Sequence, residues 1–299
     1  MAKIKDFSCT YDNGISFGTW MDEIGGISFP QVYTEHEMMK RLALVIKDRN
    51  QSAFCQLPFC HTLEAEVLGG CIRLGDKNSG PRVQEYRYHS LEEILKLPEV
   101  DVQAEQSARL RETLQACKEL SAEKEDVLFL VSGPLTILNS LLDTEILFYS
   151  ILKQPELVRK VCWKLGHDIL KIMKMAEEAG VRYISYADPS GGVNIVGPKV
   201  AARIVKDFTE DFLEYVDREL RPDTMVLLCP KTALALIGTE CAKWREHELP
   251  EPMGYTDAAV YLQPGTRIRF AGQTCINHTG EMLKNRKFNE LILGKGICQ

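Results

Sequence analysis

An α/β fold built on a parallel sheet is the class this sequence predicts, on three observations. Apolar strand-like runs alternate with amphipathic helical stretches, the pattern of strands covered by helices. The chain is 299 residues long, enough for one α/β barrel or two average domains. No G-x-G-x-x-G or P-loop follows any strand-like run, which takes weight from nucleotide-type open sheets. A closed eight-stranded barrel and an open doubly wound sheet are the two remaining architectures.

The elements follow in order. Ala53–Phe59 reads as the first strand and Leu63–Leu68 as a helix stopped by Gly69 and Gly70. Cys71–Tyr88 reads as a polar hairpin turned over Lys77–Pro81. Ser90 and Glu93 have capping-box spacing at the head of a short helix. Val102–Glu125 reads as a long charged helix with a wet face. The strand Val127–Val131 ends at Ser132-Gly133-Pro134, and Pro134 suits a first helical turn. Pro155 starts another helix, and Arg182–Tyr186 is a strand ending at Asp188. Pro198–Leu220 carries one apolar stripe through Val200, Ile204, Phe208, Phe212 and Tyr215. Met225–Leu228, Ala258–Leu262, Arg267–Phe270 and Leu291–Leu293 read as strands, with a last helix from about Thr279. The strand count is seven, one short of a full barrel.

Composition bounds function. Lys and Arg total 36 against 42 Asp and Glu, a formal charge of −6, and no Lys/Arg cluster exceeds two. Nucleic acid and anionic membranes both need a concentrated basic face, so neither is expected as a partner. The N-terminus lacks the apolar run of a signal peptide, and the greasiest stretch, Val127–Leu138, is too short to span a bilayer. A cytoplasmic protein folded as one domain over residues 1–299 is the expectation. The ten cysteines are scattered with no C-x-x-C pair, so most read as small buried hydrophobes.

Polar chemistry collects after the strands. In α/β barrels the active site lies at the carboxyl ends of the strands. Those ends carry Cys60 and His61, Gly133, Asp188, Cys229, Cys275 with Asn277 and His278, and Cys298. Thiolates, an imidazole and a carboxylate converging on one mouth suit zinc, acting as a Lewis acid or holding a thiol as its anion. Plainer readings stand beside these: any cysteine as a buried spacer, His61 as a helix cap, Asp188 as a turn residue, Glu64 and Glu66 as solvated helix-face charges.

Several short motifs resemble the uroporphyrinogen decarboxylase superfamily. Ser132-Gly-Pro-Leu-Thr136 resembles its G-P-x-T segment, and Tyr186–Ser190 with Val196-Gly-Pro198 its Asp-bearing strand end and later helix start. Pro58–Gly69 resembles its P-F-D-x-x-x-E-A-E-x-x-G stretch, Asp76–Pro81 its G-P hairpin, and Leu293–Cys298 its late strand. The resemblance runs over residues 28–298 and implies a (β/α)8 TIM barrel of uroporphyrinogen decarboxylase type. No Arg-rich motif that would neutralise porphyrin carboxylates appears in residues 1–31, and Cys60 stands near the expected pyrrole-binding aspartate. The cobamide-dependent methyltransferase branch is the better match.

That branch implies methyl transfer between a small substrate and a corrinoid supplied by a partner protein. It also implies zinc held by an H-x-C pair and a late cysteine. Carried over, the ligands are Cys229 and Cys298, with Cys275 as a further candidate; the histidine position is Leu227. Asp188 and His278 are the expected catalytic residues, with Cys60, His61, Glu64, Gly133 and Asn277 binding substrate. The small reactant is a methylated donor, or a thiol or tetrahydrofolate acceptor, and related barrels often pair as homodimers. A decarboxylase of the uroporphyrinogen type and a non-catalytic barrel that binds a ligand or the corrinoid protein are the alternatives.

Overall fold

The computed structural model describes residues 4–5, 7, 24–277 and 282–294. The chain runs through α1 (His36–Asn50) into β1 (Cys55–Leu57) and α2 (Leu63–Val67). An antiparallel hairpin follows, β2 (Cys71–Arg73) with β3 (Arg82–Glu85). Helices α3 (Leu91–Leu95) and α4 (Ala108–Ala122) lead to β4 (Val127–Ser132). Next come α5 (Pro134–Leu141), α6 (Thr144–Lys153), α7 (Pro155–Glu178) and β5 (Tyr183–Ala187). Helices α8 (Val193–Val196), α9 (Pro198–Ile204) and α10 (Glu210–Glu219) precede β6 (Met225–Leu228). A π-helical turn, Val205–Thr209, joins α9 to α10. The last elements are α11 (Pro230–Gly238), β7 (Ala242–Glu248), α12 (Tyr255–Leu262), β8 (Phe270–Ala271) and β9 (Lys287–Leu293).

Local chemistry explains where the helices begin. Pro134, Pro155, Pro198 and Pro230 each open a helix, where the missing N–H costs nothing and φ is already helical. Ser90 Oγ accepts from the Glu93 N–H at 3.3 Å while Glu93 Oε2 accepts from the His89 N–H at 3.1 Å, so the capping box closes one residue early on its return bond.

Seven strands form one sheet in the order β1-β4-β5-β6-β8-β9-β7. The first five are mutually parallel, and β9 runs antiparallel to both its neighbours. Strand parity divides the core in two. Phe129, Val131, Ile184, Tyr186, Val226 and Leu228 face the helical layer. Leu128, Leu130, Tyr183, Met225, Leu227, Ala271 and Phe288 gather on the opposite, inner face. Alternate residues of barrel strands fill a barrel's interior in this way. One register row crosses six strands: Leu130, Ser185, Leu227, Ala271, Glu290 and Arg245. Helix α12 adds Tyr255, Ala258, Ala259 and Leu262 to the inner cluster.

The α/β barrel class therefore holds, with local differences. Ala258–Leu262 is not a strand but the end of α12. Tyr255, Ala258, Ala259 and Leu262 are buried at helical spacing, and that period outweighs the apolar run. The expected helix from Thr279 begins outside the described residues, and 287–293 is strand β9. β7 was not expected at all, because Ala242–Glu248 has little apolar content to signal it. The charged stretch 102–125 is helical only from Ala108, after a 3-10 turn at Glu105–Ser107. Among the described residues no helix is long and apolar enough to cross a membrane.

Candidate active site at the carboxyl ends of the strands

The site is built where β1, β4, β5 and β6 end. Asp188 follows β5, and its carboxylate reaches the first turn of α5. Oδ1 accepts from the Thr136 N–H at 2.7 Å and the Thr136 hydroxyl at 2.8 Å, and Oδ2 from the Leu135 N–H at 3.2 Å. These N–H groups have no partner inside the helix and lie at the positive end of its dipole. Desolvation nonetheless dominates and raises the Asp188 pKa to about 6, against the lowering effect of those hydrogen bonds. Asp188 is still half-buried rather than sealed, so its protonation changes close to neutral pH at a surface a reactant can reach.

The G-P-x-T segment now has a physical account. A Cβ on Gly133 would stand 2.4 Å from the Asp188 Cβ, so only glycine lets the carboxylate approach. Pro134 opens α5, and Thr136 supplies both amide and hydroxyl. Ser132, at the end of β4, ties in the neighbouring loop. Its N–H donates to Glu64 Oε1 at 2.8 Å, and its hydroxyl to the His61 carbonyl at 3.3 Å.

Glu64 is 3% exposed, so it is a buried acid and not a solvated helix-face charge. Desolvation raises its pKa, with the Ser132 N–H acting against it. His61 is exposed after β1, and desolvation lowers its pKa. The His61 carbonyl and the Asp188 carboxylate thus both lie beside Ser132-Gly133.

Cys60 is buried rather than presented to a substrate. Its sulfur accepts from Arg109 Nη1 at 3.1 Å, and Arg109 also donates to Thr62 Oγ1 at 3.3 Å and to Glu66. Arg109 is itself only 5% exposed. This corrects the reading of the 102–125 helix as a wet face: its first turn sends a guanidinium under the β1 loop.

The thiols behave unequally. Eight of the cysteines lie among the described residues. Burial pushes the Cys55 thiol up to about 12 and those of Cys117 and Cys162 higher, so these three are inert packing groups. Cys229 follows β6 with the inward parity of Met225 and Leu227, and its N–H extends the ladder to the Tyr186 carbonyl at 2.8 Å. It is half-buried. Cys275 and Asn277 are half-buried on the segment after β8. Cys275 stands near Tyr255, whose phenol is pushed up by burial first and by that sulfur second. His278 and Cys298 lie outside the described residues.

Zinc needs three or four donors around one point. Among the described residues no three His, Cys, Asp or Glu side chains gather that way. Leu227, at the position the resemblance gives to histidine, is fully buried in hydrocarbon on the inner face. The described residues do not by themselves make up a zinc centre.

Comparison with known proteins agrees with this architecture. The uroporphyrinogen decarboxylase (URO-D) family profile matches residues 16–245. The chain is 22% identical over 253 residues to the methylcobamide:CoM methyltransferase MtaA of Methanosarcina barkeri, covering 84% of this chain and 73% of that protein. The same protein from the Fusaro strain matches at 22% over 252 residues. A methyltransferase structure from Methanosarcina mazei superposes with a TM-score of 0.62 at 21% identity, over 76% of this chain and 66% of that one. The present chain thus spans just under two thirds of that solved structure. With the family profile extending over more than half of the sequence, the chain belongs to the uroporphyrinogen decarboxylase family.

Proposed function

We propose that the protein transfers a methyl group between a small substrate and a corrinoid carried by a partner protein. The observation that carries the reading is the Asp188 carboxyl, pinned by α5 at an accessible strand end with its pKa raised to about 6. The name of the MtaA relative supports the reaction class. A bound corrinoid would supply a cobalt that accepts or gives up the methyl group. The chain's own part is to bind and orient the small reactant. Asp188 accepts a hydrogen bond from its polar hydrogen, or donates one once protonated. His61, whose desolvation favours the neutral ring, offers a ring nitrogen after β1. Hydrocarbon on the inner face keeps water from entering below.

Porphyrinogen decarboxylation is less well served. It wants a carboxylate near Cys60 to accept pyrrole N–H groups, and that position is a thiol already engaged by Arg109. A barrel that only binds would leave the raised Asp188 pKa without a use.

The test is a methyl-transfer assay with free cob(I)alamin and methylcob(III)alamin against thiols, tetrahydrofolate, methoxy compounds and methylamines. Transfer with at least one partner is expected, and Asp188→Asn is expected to reduce it by roughly 100-fold. No transfer with any of them, or carbon dioxide released from uroporphyrinogen, overturns the reading. Zinc assistance is tested apart, by elemental analysis. A full equivalent lost in Cys229→Ala would support a metal centre there, and zinc retained in that variant would remove Cys229 as a ligand.

A further inference from the structure

The antiparallel limb carries an ionisable cluster that the site above does not use. β7 and β9 pair so that Arg245 lies opposite Glu290 and His247 opposite Phe288. Phe288 and Leu249 belong to the inner-face cluster, and strand parity puts Glu290, His247 and Arg245 on that same face. Glu290 stands in the register row of Leu227, the position where the family resemblance expects a histidine. His247 stands one step nearer the carboxyl ends of the parallel strands.

The contacts have the form of an oriented base. His247 Nε2 is 2.7 Å from Glu290 Oε2, and Arg245 Nη1 donates to the same oxygen at 3.4 Å. A carboxylate that is ionised only accepts, so a neutral ring in this contact would carry its hydrogen on Nε2 and its lone pair on Nδ1. Among the described residues Nδ1 makes no hydrogen bond. The Glu290 side chain is 7% exposed and that of His247 21%, so the carboxylate is packed away while the ring stays reachable. Lys243, opposite Ile292, and Arg245 are the other charged groups that the two strands place on this face. By parity Glu246, Glu248 and Lys287 lie on the other, where Lys287 pairs with Glu246 at 2.6 Å. From α12 the approach is made by Tyr255, stacked on Phe288 at 5.4 Å. From β8 it is made by Ala271, which leaves room.

We propose that His247, positioned by Glu290, is the base that takes the proton from a methyl acceptor bearing an S–H or O–H group. The role rests on the methyltransferase reading above. In the step, the S–H bond breaks and its proton goes to Nδ1, while the S–CH3 bond forms. The bond from the methyl group to its methylated-corrinoid donor breaks, and the donor keeps that electron pair. The imidazolium left behind is paired with the Glu290 carboxylate.

The experiment measures methyl transfer from methylcob(III)alamin to a series of thiols of rising acidity, with wild type, His247→Gln and Glu290→Gln. Both variants are expected to lose roughly 100-fold with thiols that are neutral in the assay, and less than about 3-fold with thiols already ionised there. Glu290→Gln is read a second time by nitrogen NMR of the His247 ring: wild type is expected to hold the Nε2–H tautomer and the variant a mixture. Variants as active as wild type, a deficit equal across all thiols, or a wild-type ring protonated at Nδ1 in its neutral form each overturn the role. A wild type that transfers to no thiol or other acceptor overturns the methyltransferase reading and this role together. An active wild type with unaffected variants overturns this role alone.

Discussion

β4 reads Val-Leu-Phe-Leu-Val-Ser and is buried at all six positions, whereas β7 reads Ala-Lys-Trp-Arg-Glu-His-Glu and is buried at its first alone. Both belong to one sheet. β4 lies between β1 and β5, with helices on one side and the inner cluster on the other, so both faces demand hydrocarbon. β7 pairs with β9 alone among the described strands and is held by that ladder and by cross-strand pairs. The parallel limb thus derives its stability from burial and presents chemistry only beyond its ends. The antiparallel limb can carry ionisable groups along its length.

That contrast can be broken at graded positions. Leu227→Ala, in the middle of the parallel limb, is expected to cost about 3 kcal/mol of stability in chemical denaturation. A loss under about 1 kcal/mol would mean the inner face is loosely packed. Gly133→Ala forces its new methyl into Asp188 and is expected to cost about 2 kcal/mol, with activity lost through the displaced carboxylate.

Asp188→Asn sharpens the comparison through pH. The folded pKa of Asp188, about 6, lies above its ordinary value of 3.8. Protonation therefore favours the folded state, a contribution fully present below pH 3.8 and lost as pH rises through about 6. Relative to wild type, Asp188→Asn should be near neutral in stability at pH 4 and more stable at pH 7 and above. The gain is on the order of 1–2 kcal/mol once partial exposure is allowed for. A wild type whose advantage grows with pH would reverse the sign. On the antiparallel limb, Lys287→Ala removes an exposed ion pair with Glu246 and is expected to leave the thermal melt unchanged within error.

How much of this could be read from the chain follows from the same contrast. Strands buried on both faces announce themselves: β4, β5 and β6 fall where the apolar runs Val127–Val131, Arg182–Tyr186 and Met225–Leu228 lie. Asp188 and Gly133 fall where strand ends and a short motif point, whereas Glu64, expected to bind substrate, is buried against Ser132. Arg109 was not, since a guanidinium in a helix rich in charge looks solvated until the β1 loop is folded over it. His247 and Glu290 are 43 residues apart and meet only through antiparallel pairing, which neither segment's own pattern signals. Ala258–Leu262 misled because apolar residues at a helical period also read as a short run.

One helix has a wider consequence. With Ala258 and Ala259 turned to the inner cluster, α12 brings main chain close to the strands and occupies space that an open cylinder would leave free. The inner face is thus filled with side chains from both the strands and α12. That leaves the carboxyl ends of the strands as the place where a reactant can be met.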